Sequence, residues 1–102
     1  MRYLFPTTKF VKTNTIGQQL QHVFSESMEL QVAAIDKIDA VSITYKIDEH
    51  AMEEAVDLYH SLETLFRIWE SQGVDMEAVM QKELEKNRDR GYYTPVITKY
   101  AG

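Results

Sequence analysis

Several features that define whole classes of protein are missing from this sequence. It contains no cysteine, which excludes disulfides, thiolate metal sites and cysteine nucleophiles. No apolar run approaches the roughly 18 residues that a membrane span requires, and the N-terminus lacks the apolar stretch of a signal peptide. We therefore expect a cytoplasmic protein with no membrane partner.

Positive charge is also scarce. Eleven Lys and Arg stand against sixteen Asp and Glu, which gives a net charge of −5 with neutral His. Binding to the phosphate backbone of a nucleic acid depends mainly on Lys and Arg. An acidic chain is a poor partner for such a backbone, so we expect no polymeric nucleic acid among its partners.

Glycine and proline are few, four and two in 102 residues. The length suits a single domain, residues 1–102, with an N-terminal arm over residues 1–14 and a C-terminal tail over residues 92–102. A chain of this length can form only a thin core, which favours oligomerisation because shared helix faces would bury more apolar area.

Thr15 can cap a helix of about 20 residues that begins at Ile16. The predicted inner face of this helix is Ile16, Leu20, Val23, Phe24, Gln31, Ala34 and Ile38.

The segment from Val41 to Ile47 alternates apolar and polar residues. A period of two is typical of a short extended segment, or of an ordered connection that packs alternate residues under helices. One isolated strand cannot form a sheet, so this segment would change the fold class only by pairing across a dimer.

Two further helices are predicted after this segment. Asp48 can cap a helix over residues 49–72, and Gly73 suits the left-handed position that follows its end. Asp75 can cap a shorter helix that Gly91 stops. The pattern predicts an all-α fold, a small bundle of two long antiparallel helices and a shorter C-terminal helix, completed by oligomerisation.

Two acidic pairs have helical spacing: Glu26 and Glu29 on the first long helix, and Glu54 and Asp57 on the second. Residues at i and i+3 project from one face, so each pair can converge on one point. Four converging carboxylates would repel one another unless a cation lay between them, and Mg²⁺ takes such hard oxygen ligands. The alternative is chance spacing on solvated helix faces, which is common in a chain with sixteen acids.

The helical wheel separates the two pairs. Glu54 projects into the apolar stripe of its helix, where a carboxylate is costly unless it is paired or coordinated. Glu26 and Glu29 lie away from the predicted inner face of their helix. They would face water in a two-helix hairpin and would meet Glu54 and Asp57 only if more helices packed around this one, as in a bundle formed by subunits. The polar side of the second long helix is predicted to carry Glu53, His60, Glu63, Arg67 and Glu70.

The third helix ends with a polar cluster of Lys86, Asn87 and Arg90. This cluster is either a clamp for phosphates or a set of groups that complement the helix dipole, and the spacing favours neither. The three histidines lack the mutual spacing of a zinc site, although the first lies one turn before Glu26 and could support an acidic site. The histidines are His22, His50 and His60.

These residues resemble the signature of the MazG-like nucleotide pyrophosphohydrolases, in the all-α NTP pyrophosphatase superfamily. That family carries Glu-Glu-x-x-Glu on one helix and Glu-x-x-Asp on the next, and small members end in a Lys-Asn…Arg-Gly segment. The likeness covers about residues 18–93, and the three motifs together are fairly specific. One position departs from the pattern: Ser25 stands where the family has the first Glu. The missing carboxylate would weaken a second metal position or the orientation of a water molecule. The matching segments are Ser25-Glu26-Ser27-Met28-Glu29, Glu54-Ala55-Val56-Asp57 and Glu85-Lys86-Asn87-Arg88-Asp89-Arg90-Gly91-Tyr92-Tyr93.

The resemblance implies a MazG-like domain that hydrolyses a (deoxy)nucleoside triphosphate to the monophosphate and pyrophosphate, in house-cleaning of the nucleotide pool. Mg²⁺, with Mn²⁺ as a substitute, would neutralise phosphate charge and position or activate a water. A second subunit would complete the site, so a homo-oligomer, dimer or tetramer, is also implied. The implied residues are Glu26, Glu29, Glu54 and Asp57 as metal ligands, Glu53 as the nearest carboxylate for a general base, and Lys86, Asn87 and Arg90 as contacts to phosphates or sugar.

A competing interpretation is a non-catalytic helical interaction or regulatory protein that keeps the fold and the binding of metal or nucleotide. Ser25 and the predicted exposure of Glu26 and Glu29 favour it. A plain helical oligomer with no ligand would leave Glu54 in its apolar stripe unexplained.

Overall fold

The computed structural model describes residues 1–35, 38–39, 44–45 and 49–94. Within those ranges the architecture is helical, as predicted, apart from one two-residue strand pairing. The elements are α1 (Phe10–Thr13), α2 (Ile16–Ile35), β1 (Ile38–Asp39), β2 (Thr44–Tyr45), α3 (Glu49–Ser71) and α4 (Met76–Asp89).

The start of α2 is fixed by a reciprocal pair of side-chain bonds. The backbone N–H of Gln18 donates to Thr15 Oγ1 at 3.1 Å, and the backbone N–H of Thr15 donates to Gln18 Oε1 at 2.9 Å. This capping box satisfies two amide groups that a helix terminus would otherwise leave without partners. The predicted cap and helix start are therefore confirmed.

The end of α2 differs from the prediction. The helix stops at Ile35, and Ile38 lies in β1, which pairs antiparallel with β2 so that Ile38 is opposite Tyr45. The extended segment therefore finds its partner within its own chain, just after the helix, and not across a dimer. The expectation of an isolated strand is wrong because β1 lies only a few residues before β2, which is hairpin range. The rest of that alternating segment lies outside the described residues.

The limits of α3 and α4 follow the predicted signals. Gly73 has φ +94° and Gly91 has φ +74°, the left-handed conformation in which glycine carries no steric penalty. Asp75 caps α4, since its Oδ1 accepts the Ala78 N–H at 3.1 Å. The predicted cap at Asp48, and the tail beyond Thr94, lie outside the described residues.

The core is small and lies mainly between α2 and α3. These helices pack antiparallel: Gln19, near the start of α2, reaches the Ser61 carbonyl, and Glu26 and Glu29 reach Glu54 further back along α3. Helix α4 contacts α3 and buries Met76. The buried apolar residues are Ala33, Ala51, Leu65, Ile68 and Met76.

Helix α2 turns a different face to the core from the one predicted. Gln19 and Ala33 are buried against α3, whereas Leu20 and Phe24 are exposed, Phe24 to 67%. At about 100° per residue, the buried side lies roughly 120° around the helix from the predicted inner face. Helix α2 therefore packs polar side chains such as Gln19 against α3, while apolar side chains such as Leu20 and Phe24 face outward.

The N-terminal arm covers the side of α3 that was predicted to face water. Glu63 is only 3% exposed, and its carboxylate accepts the backbone N–H groups of Leu4 at 2.8 Å and Phe5 at 2.9 Å. Arg67 donates to the Phe5 carbonyl at 2.6 Å. The ring of His60 stacks on that of Phe5, with centroids 4.2 Å apart. The prediction of a solvated polar face is wrong for Glu63 and Arg67, because backbone groups of the arm bind both side chains, whereas Glu53 is exposed as predicted.

No helix in the described ranges combines the length and the apolar character that crossing a bilayer would need.

Candidate metal centre

Three carboxylates from two helices converge within one chain. Glu26 and Glu29 of α2 and Glu54 of α3 each place a carboxylate oxygen within 4.8 Å of the others. The spacing of three on α2 and the rotation of that helix bring this pair toward α3. The expectation that both glutamates would face water is wrong for Glu26, which is half-buried, whereas Glu29 is exposed as expected. The expectation that they would meet Glu54 only if more helices packed around α2 is also wrong, because the three carboxylates meet within one chain.

Asp57 lies beside this acid group but outside it. It follows Glu54 by one turn of α3 and lines the same cavity as Glu26. Its charge is close enough to raise the pKa of both Glu26 and Glu54. Three of the four predicted metal ligands thus converge directly, and the fourth borders them.

Burial is the main reason that Glu26 and Glu54 have a raised pKa, and the charge of Glu29 raises the pKa of each further. His22 and His50 oppose this shift without reversing it. Glu26 and Glu54 therefore resist ionisation beside Glu29, which is the condition that a bound cation relieves.

Two oxygen atoms of the acid group have no hydrogen-bond partner in the described part of the chain. Glu26 Oε2 and Glu54 Oε2 are buried and accept no hydrogen bond from any described residue. Both side chains are 15% exposed, so water has little access to them. Buried polar atoms in native structures nearly always find a partner. A set of carboxylate oxygens with unsatisfied lone pairs matches what Mg²⁺ and similar hard cations take as ligands, so these residues fit a divalent ion.

Glu26 and Glu54 each have a histidine one turn earlier on the same helix. His22 Nε2 lies 3.4 Å from Glu26 Oε1, and His50 Nε2 lies 3.7 Å from Glu54 Oε1. The position of His22 beside the site follows its predicted place one turn from Glu26. The position of His50 was missed, although its spacing of four from Glu54 was available in the sequence.

Two cavities flank the acid group. One, of about 250 Å³, contains Glu26 and Asp57 in its wall, and the other, of about 350 Å³, contains Glu29 and Glu54. The first cavity is also lined by the arm and by polar or aromatic residues of both helices, whereas the second has a more apolar lining. The further lining residues are Thr8, Phe10, Gln19, His22, His60, Ser61 and Thr64 for the first, and Met28, Val32, Ala33 and His50 for the second.

Gln19 is a residue of this site that sequence reasoning missed. Its amide Nε2 donates to the Ser61 carbonyl at 2.9 Å, and its Oε1 accepts from Asn14 Nδ2 at 2.9 Å. The bonds tie the start of α2 to α3 beside the first cavity. A glutamine in an amphipathic helix normally faces water, so the sequence carried no signal for this role.

The remaining predicted residues lie apart from the acid group. Glu53 is exposed on α3. Lys86 pairs with Glu83 at 2.9 Å, Asn87 is half-buried, and Arg90 forms the C-cap of α4. Helix α4 starts beyond the end of α3, roughly 25 Å along that helix from the acids at about 1.5 Å per residue. No hydrogen bond or ion pair links these polar residues of α4 to the acids in the described part of the chain.

Comparisons of this chain with family models, with curated proteins and with solved structures find no match.

Proposed function

We propose that this protein is a Mg²⁺-dependent nucleotide pyrophosphohydrolase that cleaves a (deoxy)nucleoside triphosphate into the monophosphate and pyrophosphate. The observation that carries the proposal is the convergence of Glu26, Glu29 and Glu54, two of which have a buried oxygen that accepts no hydrogen bond from any described residue. The resemblance to MazG-like proteins supplies the reaction. House-cleaning of the nucleotide pool in the cytoplasm is the corresponding role.

In this proposal Glu26, Glu29, Glu54 and Asp57 hold the metal. The bound ion supplies charge neutralisation for the phosphates and a water of lowered pKa. The carboxylates fix the place where the triphosphate lies, with Glu26 and Glu54 half-buried and Glu29 and Asp57 on the exposed side. Glu53 is proposed as the general base that accepts a proton from the attacking water, whose oxygen adds to phosphorus as the anhydride bond between the α and β phosphates breaks.

The cavity beside Glu26 and Asp57 supports a small-molecule substrate. Its wall combines the aromatic ring of Phe10 with imidazole and hydroxyl groups, which suits the base or sugar of a nucleotide better than a bare phosphate. Glu26 and Asp57 lie in the wall of this cavity, and Glu29 and Glu54 line the neighbouring one. A nucleotide could therefore place its phosphates on a metal and its nucleoside in the cavity.

The cations of α4 favour a shared site. Lys86, Asn87 and Arg90 are proposed to hold phosphates or sugar, yet no described hydrogen bond or ion pair joins them to the acids of their own chain. A second copy would bring them to the site, so the active form is proposed to be a homodimer or tetramer. Nucleoside triphosphate and a second copy are the proposed partners, and polymeric nucleic acid and membrane are not.

The test is release of pyrophosphate from a panel of nucleoside triphosphates in the presence of Mg²⁺ or Mn²⁺. We expect release from at least one nucleotide, and we expect Glu54→Gln to abolish it. Glu49→Gln, a matched exposed change on the same helix, should leave the rate unchanged. Release that persists in Glu54→Gln, or no release from any nucleotide, would refute the proposed activity.

A non-catalytic interaction protein is the second candidate. The exposed apolar face of α2, with Phe24 and Val32 more than half exposed, is the observation that favours it, together with Ser25 in place of an acid. Metal or nucleotide binding without pyrophosphate release from any nucleotide would favour this alternative.

A further inference from the structure

The N-terminal arm, over residues 1–14, forms one part of the wall of the cavity that contains Glu26 and Asp57. Thr8 and Phe10 line this cavity together with residues of α2 and α3. The second cavity beside the acid group has no arm residue in its described wall. Movement of the arm would therefore open the first cavity and leave the second unchanged.

The arm takes no part in the buried core. None of residues 1–14 is buried, and Leu4 is 78% exposed. The buried apolar side chains of the described chain all belong to α2, α3 and α4. Segments that bury little apolar area open at a lower free-energy cost than the core on which they lie. The arm can therefore leave α3 while the helices stay packed.

Charged contacts outside the cavity hold the arm on α3. The Glu63 carboxylate accepts the backbone N–H groups of Leu4 and Phe5, and Arg67 donates to the Phe5 carbonyl. Hydrogen bonds to charged groups are stronger than neutral ones, so these bonds are a major part of the attachment. Glu63 and Arg67 do not line the cavity. A change at Glu63 would therefore release the arm without altering any side chain of the cavity wall.

Two residues of α3 in the cavity wall are almost inaccessible with the arm in place. Ser61 is 5% exposed and Thr64 is 2% exposed. Thr64 Oγ1 lies 3.1 Å from Thr8 Oγ1, a contact between neutral hydroxyls that is weaker than the charged bonds of Glu63. A ligand or reagent reaches Ser61 when part of this wall moves, and the arm is the part with no buried residue.

We propose that the arm is a gate for this cavity, which opens when Leu4 and Phe5 leave Glu63 and closes over a nucleoside bound in the cavity. The nucleoside as ligand rests on the proposed function, whereas the opening rests on the contacts of the arm alone. The gate controls access to the side of the acid group that carries Glu26 and Asp57.

The competing explanation is a static wall, in which the arm leaves α3 only when the whole chain unfolds. Access to Ser61 would then follow the stability of the core, and every buried position would become accessible together. A gate instead opens the first cavity while the rest of the helix pair stays closed.

The experiment measures access to the cavity by thiol labelling with a small reagent. The sequence contains no cysteine, so one substitution gives a unique thiol. Ser61→Cys reports on the first cavity. Ala33→Cys is the matched control, because Ala33 is 7% exposed and lines the second cavity. Each reporter is labelled in the full-length chain with and without Glu63→Gln.

Release of the arm should affect the two reporters differently. We expect Glu63→Gln to raise the labelling rate of Ser61→Cys at least tenfold and to leave that of Ala33→Cys within about threefold. A labelling rate of Ser61→Cys that stays within about threefold would overturn the gate, because the arm would not control access. An equal rise in both reporters would also overturn it, because the arm would open only with the core.

A measurement on the unsubstituted protein guards against variants that fail to fold. The backbone amides of Leu4 and Phe5 donate to Glu63, so their hydrogen exchange reports opening of the arm. We expect these two amides to exchange together, at least tenfold faster than those of Leu65 and Ile68 in the core of α3. Exchange of the arm amides at the rate of the core amides would overturn the gate.

Closure over the ligand is tested by the same exchange with Mg²⁺ and a non-hydrolysable nucleoside triphosphate. Leu4 and Phe5 do not line the cavity, so slower exchange of their amides reports closure of the arm and not contact with the nucleotide. We expect at least tenfold slower exchange at saturation. Nucleotide that binds in calorimetry without slowing this exchange would overturn closure. Absence of nucleotide binding would refute the nucleoside as ligand together with the proposed function, and the opening measured without ligand would still stand.

Discussion

At the scale of single residues, two glutamates of α3 show opposite solutions to the burial of a negative charge. Glu63 accepts two backbone N–H groups from the arm, so its charge is met within the fold. Glu54 has a buried oxygen with no described partner and two acidic neighbours. A buried carboxylate without compensation is costly, so the first arrangement stabilises the fold and the second opposes folding unless a cation offsets the charge.

Removing charge from the acid group should have opposite effects with and without metal. In Glu54→Gln or Asp57→Asn the metal-free protein should become more stable, because like charges no longer repel. Divalent binding should fall severely in the same variants, since a ligand or its neighbouring charge is lost. Thermal unfolding with and without Mg²⁺ or Mn²⁺, together with calorimetry, measures both effects. Undiminished binding in both variants would contradict the site.

Replacing Glu63 should loosen the arm. In Glu63→Gln the two backbone donors of Leu4 and Phe5 face one neutral acceptor in place of a carboxylate, so we expect a loss of about 1–3 kcal/mol in the free energy of unfolding. Chemical denaturation measures this loss, and limited proteolysis reports release of the arm. The exposed Glu53→Gln on the same helix is the control and should cost little. An unchanged stability in Glu63→Gln would show that the arm does not depend on this carboxylate.

The same carboxylate predicts a dependence on pH. Burial alone would raise the pKa of Glu63, but the N–H groups of Leu4 and Phe5, followed by Tyr59 and Arg67, outweigh it and lower the pKa. A lowered pKa means that this stabilisation is complete above the ordinary pKa of a glutamate and is lost as pH falls through the lowered value. The difference in unfolding free energy between the parent and Glu63→Gln should therefore shrink in acid. A difference that stays constant from neutral to strongly acidic pH would contradict this assignment.

At the scale of helices, the start of α2, the end of α3 and both limits of α4 were predictable from the sequence, whereas the end of α2 and its rotation were not. Thr15, Gly73 and Asp75 act through bonds or dihedral angles within a few residues, so local sequence suffices. The face that α2 buries depends on what the partner helix offers. Gln19 is buried because the Ser61 carbonyl and Asn14 satisfy its amide, and neither partner could be known in advance.

The residues of the candidate site were predictable from the sequence, but their meeting within one chain was not. The spacing of Glu26, Glu29 and Glu54 identified them as acids that could converge. That they meet within one chain follows from the rotation of α2, which the apolar pattern concealed. Glu63 was assigned to a solvated side because nothing in the sequence shows that the arm returns to α3.

The polar end of α4 gives a test of its two interpretations. If Lys86 and Arg90 hold phosphate in the assembled protein, Lys86→Ala with Arg90→Ala should weaken nucleotide binding tenfold or more for each residue, at about 1.5–3 kcal/mol for each contact. Metal affinity without nucleotide should change little. If they only complement the helix dipole, the double variant should lose roughly 0.6–2 kcal/mol of stability at low salt. Titration of the double variant with a non-hydrolysable triphosphate at saturating Mg²⁺ distinguishes the two interpretations. A nucleotide affinity within about threefold of that of the parent protein would reject the phosphate clamp.

At the scale of the whole molecule, α2 has an apolar stripe on the side away from α3. Its members lie within about 120° of one another on the helix, opposite Gln19, Glu26 and Ala33 at about 100° per residue. A contiguous apolar face of this kind typically marks an interaction surface. The stripe consists of Leu20, Phe24, Met28, Val32 and Ile35, all of which are exposed.

This stripe predicts a homo-oligomer. A second copy would bury its apolar side chains, add to a small core, and provide a route for the cations of α4 to reach the acids of a neighbour. Sedimentation at micromolar concentration should therefore give at least twice the chain mass of 11.9 kDa. Phe24→Glu should shift the mass toward that of one chain, because it would place a charge in the buried interface. Gln72→Glu adds the same charge at an exposed position outside the stripe and should leave the mass unchanged. A clean monomer in the parent protein would contradict both the interface and a site completed by α4 of a second copy.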